Sequence, residues 1–142
     1  SSASGMFSPP LLGPYSMSKH ALEAMSDTLR RELATSRINV AIVQPARIQT
    51  PIWDKSLESF RVVLDSMGEQ GRGWYGRMID GLVAAAQKPG GDPVSMVSDA
   101  IEHALTSRKP KIRYPVGNEA RLVSVATKLI PDRLLDRFDP FA

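Results

Sequence analysis

Apolar residues recur at every third or fourth position along several stretches of this chain, a spacing that predicts amphipathic helices. The longest stretch runs from residue 15 to about residue 35 and contains neither glycine nor proline. Pro14 precedes it, and proline suits the first turn of a helix, where its missing N–H costs nothing. The apolar face of this helix is formed by Leu22, Met25, Leu29 and Leu33. We interpret these four side chains as part of the core.

Two short runs predict strands. Residues 38–44 are almost continuously apolar and end before Pro45, which is typical of a strand buried on both faces of a parallel sheet. A second candidate strand covers residues 111–114 and is expected to end at Pro115. A long helix followed by a buried strand is half of a βαβ unit.

The pattern between the two strands is mixed. Residues 51–89 combine an amphipathic stretch that begins near Trp53 with a second one over residues 78–87. Glycines at positions 68, 71, 73 and 76 lie between these stretches and predict a loop. We therefore expect two helices joined by a flexible middle, an arrangement that can cover a binding site as a lid.

The remaining residues predict two more helices. Asp92 and Pro93 supply an N-cap and a first-turn proline for one of them. Asn118 is expected to cap a last helix, and a short polar helical tail begins at Pro131. The resulting order of helix, buried strand, helix, strand and helix is typical of a doubly wound α/β fold.

Chain length sharpens this prediction. At about 30 residues per βαβ unit, the 142 residues hold only the last few units of a complete doubly wound sheet. No glycine-rich turn of the dinucleotide-binding type follows a predicted strand. We therefore expect the C-terminal half of a Rossmann-like, doubly wound parallel α/β sheet with a helical substrate-binding lid, and we expect the N-terminal cofactor-binding half to be absent.

Composition removes several classes of function. A content of 42% hydrophobic and 23% charged residues is ordinary for a globular domain. The sequence has no cysteine, which excludes disulfides, cysteine-ligated zinc and thiol nucleophiles. A scattered net charge of +3 does not suggest a nucleic-acid groove, and no apolar run reaches the ~20 residues of a transmembrane helix. We predict no metal site, no nucleic-acid partner and no transmembrane segment.

Candidate chemistry lies near the start of the chain. Tyr15 and Lys19 are four positions apart, so a helix places them on one face. An ammonium beside a phenol favours the phenolate, which makes Tyr15 a candidate general acid and base for an alcohol or ketone. The hydroxyl of Ser2 is a candidate for holding the same oxygen while its charge changes.

Together, these residues resemble the short-chain dehydrogenase/reductase family, and specifically its smaller, single-domain branch. Ser2 lies thirteen positions before Tyr15, and the signature Tyr15-Ser-Met-Ser-Lys19 opens the long helix. Residues 45–50 follow the next strand at the distance that the family uses. The similarity is close over residues 1–52 and continues by architecture to the C-terminus.

The resemblance implies a role for each of these residues. Tyr15 donates and accepts the proton, Lys19 stabilises the phenolate and binds the nicotinamide ribose, and Ser2 orients the substrate carbonyl. The contacts implied around the nicotinamide carboxamide come from Pro45, Ala46, Ile48 and Thr50. The family usually has glycine where this chain has Ala46, which reduces backbone freedom. The implied cofactor is NAD or NADP, and the residues that select between them would precede this sequence.

The resemblance also divides the chain and suggests a substrate. Residues 1–50 correspond to the catalytic and nicotinamide-side segment, residues 51–90 to the lid, and residues 91–142 to the C-terminal helices and last strand. Lid residues expected to bind substrate together with Ser2 are Trp53, Phe60 and Trp74, with ordinary packing as their alternative role. The implied substrate is a lipophilic secondary alcohol or ketone, retinoid-, steroid- or hydroxyacyl-like.

Other residues have simpler expected roles. Thr50 lies directly before Pro51 at the expected start of a helix, where threonine is also a common N-cap. His20 is expected to be a surface or interface residue, and His103 a structural one.

In the family, the helix over residues 15–35 pairs with a second subunit, which implies a homodimer or homotetramer. The expected location is cytoplasmic, with organelle targeting and membrane association left open. The chain by itself is expected to be inactive. Two alternatives stay open: a truncated, non-catalytic relative that acts through its dimerisation helix, and an epimerase or dehydratase of the extended branch, which shares Tyr-x-x-x-Lys but needs a larger substrate domain.

Overall fold

The structure is a computed structural model that describes residues 1–137, apart from the side chain of Asp54, and contains six helices and two strands within that range. The helices are α1 (Gly13–Glu32), α2 (Ile52–Asp65), α3 (Glu69–Gln87), α4 (Val94–Thr106), α5 (Asn118–Leu129) and α6 (Asp132–Leu135). The strands are β1 (Ile42–Pro45) and β2 (Arg113–Val116), and 3₁₀ turns cover Ala3–Gly5 and Leu33–Ser36. The predicted polar tail is helical over α6, and its residues 138–142 lie outside the described part.

The predicted α/β class is confirmed, because helices pack on a small parallel sheet as in part of a Rossmann-like fold. The strands β1 and β2 pair with Ile42 opposite Arg113. The ladder begins where Ile42 N donates to Ile112 O at 2.9 Å. The prediction that residues 38–41 belong to the first strand is wrong, because the partner strand offers no ladder opposite them.

The prediction that Pro115 ends the second strand is also wrong, because Pro115 lies inside β2, opposite Gln44. The carbonyls of Ile112 and Val116 accept hydrogen bonds from the β1 side, and every second residue of a strand faces the same neighbour. The nitrogen of Pro115 therefore faces away from β1, where its missing N–H breaks no bond of this ladder.

Helix α1 has Pro14 in its first turn, as predicted, but its inward face is polar. Its buried residues are Ser16 and Glu23, whereas Leu22 and Met25 are exposed. The interpretation of the apolar stripe as core is therefore wrong for its first two members, and the two later leucines are half-buried. Hydrogen bonds from the two strands to Glu23 connect this polar face to the sheet.

A polar network joins α1 to both strands. Glu23 accepts a hydrogen bond from Gln44 Nε2 at 2.9 Å through Oε1, and one from Arg113 Nε at 3.0 Å through Oε2. Arg113 also donates from Nη2 to Asp27 Oδ2 at 2.8 Å. Burial of the Glu23 carboxylate is tolerated because the charge is paired and hydrogen-bonded.

The predicted flexible middle of the 51–90 segment is wrong. The glycines at positions 71, 73 and 76 lie inside α3, and only residues 66–68 separate α2 from α3. Each interior glycine destabilises a helix by about 1 kcal/mol relative to alanine. Ile79 and Ala86 of the same helix are buried, and tertiary packing of this kind supplies most of the stability of helices in proteins.

The starts of α4 and α5 depend on one carboxylate and one glycine. The N-cap of α4 is Pro93, without a side-chain cap bond, so Asp92 is not the cap that the sequence predicts. The Asp92 carboxylate instead fills the space that a side chain at Gly117 would need. Gly117 has φ +91° and is the N-cap of α5 in place of Asn118. Only glycine combines this backbone angle with such close packing.

Among residues 1–137, the buried apolar core is small and consists of Ile42, Ile79, Ala86, Tyr114, Val116 and Ala120. The buried Tyr114 hydroxyl accepts from Lys111 N at 2.9 Å and hydrogen-bonds His103 Nδ1 at 2.9 Å, in keeping with a structural role for that histidine. Among the described residues, no helix has the length and hydropathy needed to cross a membrane.

Candidate functional site

Tyr15 and Lys19 lie on one face at the start of α1, as their spacing predicts. The Lys19 Nζ atom is 5.2 Å from the centre of the Tyr15 ring. Tyr15 is 44% exposed and Lys19 is half-buried, so the phenol is accessible beside a positive charge. A cation at this distance is attracted to the face of the aromatic ring. The exposed phenol can therefore be reached by a molecule that approaches from solvent.

Ser2 is held close to the same helix. It begins the 3₁₀ turn Ala3–Gly5, and its Oγ accepts a hydrogen bond from Ser4 N at 3.2 Å. This turn packs against α1 and β1. Gly5 permits the approach, because a Cβ there would lie 3.1 Å from the Glu23 side chain. The fold thus brings the turn of Ser2 onto the helix that carries the phenol and the ammonium.

Residues 45–50 form a segment that leaves the end of β1 and is held along one side. Asp92 forms a parallel bridge with Ile48: Asp92 N donates to Arg47 O at 2.8 Å, and Asp92 O accepts from Gln49 N at 3.0 Å. Backbone groups alternate along an extended chain. The N–H of Ile48 therefore points away from Asp92, to the opposite side of the segment.

The ends of this segment have different surroundings. Ala46 N extends the ladder by donating to Val116 O at 3.2 Å. Thr50 is exposed. The N-cap of α2 is Pro51, without a side-chain cap bond, so the alternative role of Thr50 as an N-cap is wrong.

The three aromatic residues predicted to bind substrate lie in different surroundings. Trp53, in the first turn of α2, contacts Arg47, whose Cζ is 4.8 Å from the ring centre. Phe60 is half-buried on the same helix, and Trp74 is 69% exposed on α3. A cleft of about 400 Å³ lies between the 45–50 segment and the end of α3, and Trp53 alone of the three lines it.

Arg47 is a residue of this site that the sequence pattern does not predict. Its side chain lines the cleft and reaches main-chain carbonyls at the end of α3. The one signal in the sequence is a charge inside an otherwise uncharged segment. Its partners lie 38–43 residues further along the chain, beyond the reach of any local pattern.

Two side chains beside the sheet, Asp27 and Arg113, have shifted pKa values. The hydrogen bond from Arg113 lowers the pKa of Asp27 below its usual range, although desolvation opposes this effect. The same bond raises the pKa of Arg113. Both groups therefore stay charged near neutral pH and hold α1 in place. Within residues 1–137, no group of three or more His, Cys, Asp and Glu side chains is arranged to hold a metal ion.

Known proteins share this sequence over most of its length. A family model described as short chain dehydrogenase matches residues 1–60. The chain is 38% identical over 140 residues to the NADPH-dependent 3-dehydrocapnine reductase of Ornithobacterium rhinotracheale, covering 96% of this chain and 47% of that protein. It is 34% identical over 137 residues to retinol dehydrogenase 16 of Rattus norvegicus, and 35% identical over 130 residues to 17-beta-hydroxysteroid dehydrogenase type 6 of the same species. Each of these two matches covers 87% of this chain and 41% of the relative.

The chain therefore belongs to the short-chain dehydrogenase/reductase family. It spans between 41% and 47% of the length of these three relatives. The family membership that the sequence motifs imply is confirmed. The individual roles of Ser2, Tyr15 and Lys19 remain predictions.

Proposed function

We propose that a protein containing this chain is an NAD(P)-dependent oxidoreductase that transfers a hydride between the nicotinamide and a secondary alcohol or ketone. The observation that carries the proposal is the pair of Tyr15 and Lys19, with Nζ 5.2 Å from the ring centre and the phenol exposed. The activity belongs to the whole protein, since the chain spans less than half of these relatives.

The residues of the chain fit the nicotinamide end of such a cofactor. The outward N–H of Ile48 and the exposed Thr50 lie on one segment, so a donor and a hydroxyl are available to a carboxamide. Pro45 and Ala46 would line the approach, and Ile48 adds an apolar contact. Lys19 would bind the ribose hydroxyls. When bound, NAD(P) supplies or accepts the hydride.

Proton transfer is the task of the side chains on and beside α1. In reduction, Tyr15 gives its phenolic proton to the carbonyl oxygen as the new C–H bond forms, and the product is a neutral alcohol. Lys19 stabilises the phenolate that remains, and Ser2 donates a hydrogen bond to the same substrate oxygen. In oxidation, the Tyr15 phenolate accepts the hydroxyl proton. The same three groups thus serve both directions.

For the substrate, we propose a lipophilic alcohol or ketone of the retinoid, steroid or hydroxyacyl type. The segment of residues 51–90 would act as the lid, and its Trp53 lines the cleft beside the 45–50 segment. Phe60 lies on α2 and Trp74 on α3, the two helices of the lid, and both are proposed to contact the substrate. The names of the relatives, which refer to retinol, a hydroxysteroid and 3-dehydrocapnine, support this class.

Replacing Tyr15 by phenylalanine in the full-length protein tests the function. We expect kcat/KM to fall by about 10²–10⁴-fold, because the variant lacks the proton donor, while circular dichroism and Tm stay unchanged. The matched control is Tyr75→Phe, since Tyr75 on α3 is 43% exposed and also loses only a hydroxyl. This control should keep turnover within about twofold. Steady-state assays with alcohols, ketones, NAD and NADP provide the measurement.

Two outcomes would contradict the proposal. Full turnover by Tyr15→Phe would remove Tyr15 from the mechanism, and a wild-type protein without turnover on any pair of substrate and cofactor would remove the function. We expect no turnover from the 142-residue chain by itself, since the described residues form a sheet of only two strands. Activity of that isolated chain would show this expectation to be wrong.

We also propose that α1 pairs with a second copy of the protein in a homodimer or homotetramer. Three apolar side chains of this helix, Met17, Leu22 and Met25, are exposed in the chain, as in surfaces that bind partners. The same residues favour a second candidate function, a non-catalytic protein that acts through this helix. Turnover in the assay above would exclude that candidate.

A further inference from the structure

Arg47 holds the C-terminal end of α3 from outside that helix. Its guanidinium donates from Nη1 to Ala85 O at 2.5 Å, from Nη2 to Ala86 O at 2.9 Å and Lys88 O at 2.5 Å, and from Nε to Gly90 O at 3.3 Å. One side chain of the 45–50 segment thus binds four main-chain carbonyls within residues 85–90, at the end of α3 and directly after it.

These carbonyls need an external donor. The last carbonyls of a helix have no intrahelical N–H partner, and the helix dipole places partial negative charge on them. The backbone supplies one bond here, from Lys88 N to Ala85 O at 3.3 Å. A planar guanidinium carries five N–H donors and can serve several carbonyls at once. Arg47 therefore caps α3 with a positive charge at the favourable end.

The same guanidinium contacts α2. Its Cζ lies 4.8 Å from the centre of the Trp53 ring, a cation–π arrangement. Trp53 lies in the first turn of α2. The start of α2 and the end of α3 are the two ends of the proposed lid, so Arg47 contacts the lid at both.

Backbone contacts bind the same two regions. Arg47 O accepts from Asp92 N at 2.8 Å, and Gln49 N donates to Asp92 O at 3.0 Å. Gly91, with φ +125°, packs so closely that a Cβ there would lie 3.2 Å from Arg47 O. Side-chain and main-chain bonds therefore link residues 47–49 with residues 85–92.

We propose that Arg47 is a positioning residue: by fixing both ends of the lid to the 45–50 segment, it sets the placement of Ile48 and Thr50 and thereby the affinity for the nicotinamide cofactor. This inference rests on the proposed function, because only that function gives Ile48 and Thr50 a cofactor to bind. Arg47 acts through its neighbours, since its own donors are occupied by carbonyls. The position of the lid and the affinity for the cofactor are consequently linked.

Arg47→Ala in the full-length protein tests this link. We expect the KM for the cofactor to rise about tenfold while kcat at saturating cofactor changes by less than about threefold, because ground-state and transition-state binding are lost equally. Arg47→Lys should give an intermediate KM for the cofactor, since lysine keeps the charge but loses the planar fork that serves several carbonyls. The matched control is Arg72→Ala, because Arg72 Nη2 donates to Leu64 O at 3.4 Å near the end of α2. This control should leave the KM unchanged.

Amide hydrogen exchange gives a readout that does not need turnover. In Arg47→Ala, the hydrogen-bonded amides of Gln49 and Asp92 and those of the last turn of α3 should exchange at least about tenfold faster than in Arg72→Ala, which should match the wild type. If the wild type shows no turnover, the proposed function fails, and exchange alone decides for or against Arg47.

Unchanged exchange and unchanged cofactor KM in a folded Arg47→Ala variant would overturn the inference. An equal rise in KM in Arg72→Ala would also overturn it, because any lost helix-end contact would then have the same effect. If Arg47→Ala does not fold, Arg47→Lys provides the same two measurements, and wild-type values for both would again overturn the inference.

Discussion

The carboxylate of Glu23 joins three elements of the fold, because Gln44 of β1 and Arg113 of β2 both donate to it. Asp27, one helical turn further on, accepts from the other arm of the Arg113 guanidinium. Hydrogen bonds are directional, so these bonds restrict the rotation of α1 about its axis. Apolar contacts are not directional and would restrict that rotation less. The direction in which Tyr15 faces follows from that rotation.

Acid should weaken the fold partly through Asp27. Arg113 lowers the pKa of Asp27 in the folded state, so its stabilising effect is present above the ordinary aspartate pKa and is lost as the pH falls through the folded value. The two side chains are 34% and 29% exposed, which limits their contribution to about 0.5–1 kcal/mol. Asp27→Asn should lower the free energy of unfolding by this amount at neutral pH and flatten its pH dependence in acid, as measured by urea unfolding.

Asp65→Asn is the control for this experiment, since Asp65 is exposed at the end of α2. It should follow the wild-type curve at every pH. Parallel curves for Asp27→Asn and the wild type would contradict the assigned effect of the bond between Asp27 and Arg113.

At the scale of elements, α3 contains glycines that nothing in the described structure requires. Gly73 and Gly76 have open space where a Cβ would lie. Alanine at either position should raise the free energy of unfolding by about 0.5–1 kcal/mol, because it reduces the backbone freedom of the unfolded chain. Denaturant midpoints measure the change. Loss of stability in Gly73→Ala would contradict a continuous α3. Gly117→Ala is the opposite control: Gly117 has φ +91° and lies beside the Asp92 carboxylate, so alanine there should lower the free energy of unfolding.

The sequence predicts the type of each element better than its ends or its inward face. Tyr15 and Lys19 are in contact as predicted, because their spacing within one helical turn determines it. The ends of the strands depend on the register between β1 and β2, which no local pattern contains. Burial of Glu23 depends on partners 21 and 90 residues away, and the contacts of Arg47 on carbonyls at similar distances. Hydrogen bonds between residues far apart in the sequence therefore cannot be predicted from the local periodicity of apolar residues.

At the scale of the whole molecule, the exposed apolar side chains of α1 suggest association with another copy. Met25 is 56% exposed on this helix. Met25→Glu in the full-length protein should weaken self-association by at least about tenfold, because the interface would have to bury an unpaired charge. Analytical ultracentrifugation across a concentration series measures the change.

Val62→Glu is the matched control, because Val62 is 70% exposed on α2, away from α1. It should leave the association constant unchanged. If Met25→Glu associates as the wild type does, α1 is not the contact surface, and an equal effect of both variants would point to general charge repulsion instead.

Pro115 has a consequence for the direction in which the sheet can be extended. Along the outer edge of β2, the N–H of Lys111 is taken by the Tyr114 hydroxyl, and Pro115 has no N–H to offer. On the free edge of β1, the only proline is Pro45, at the last position of the strand. A further strand would therefore find more donors beside β1, and β2 would be the border of any larger sheet that contains this chain.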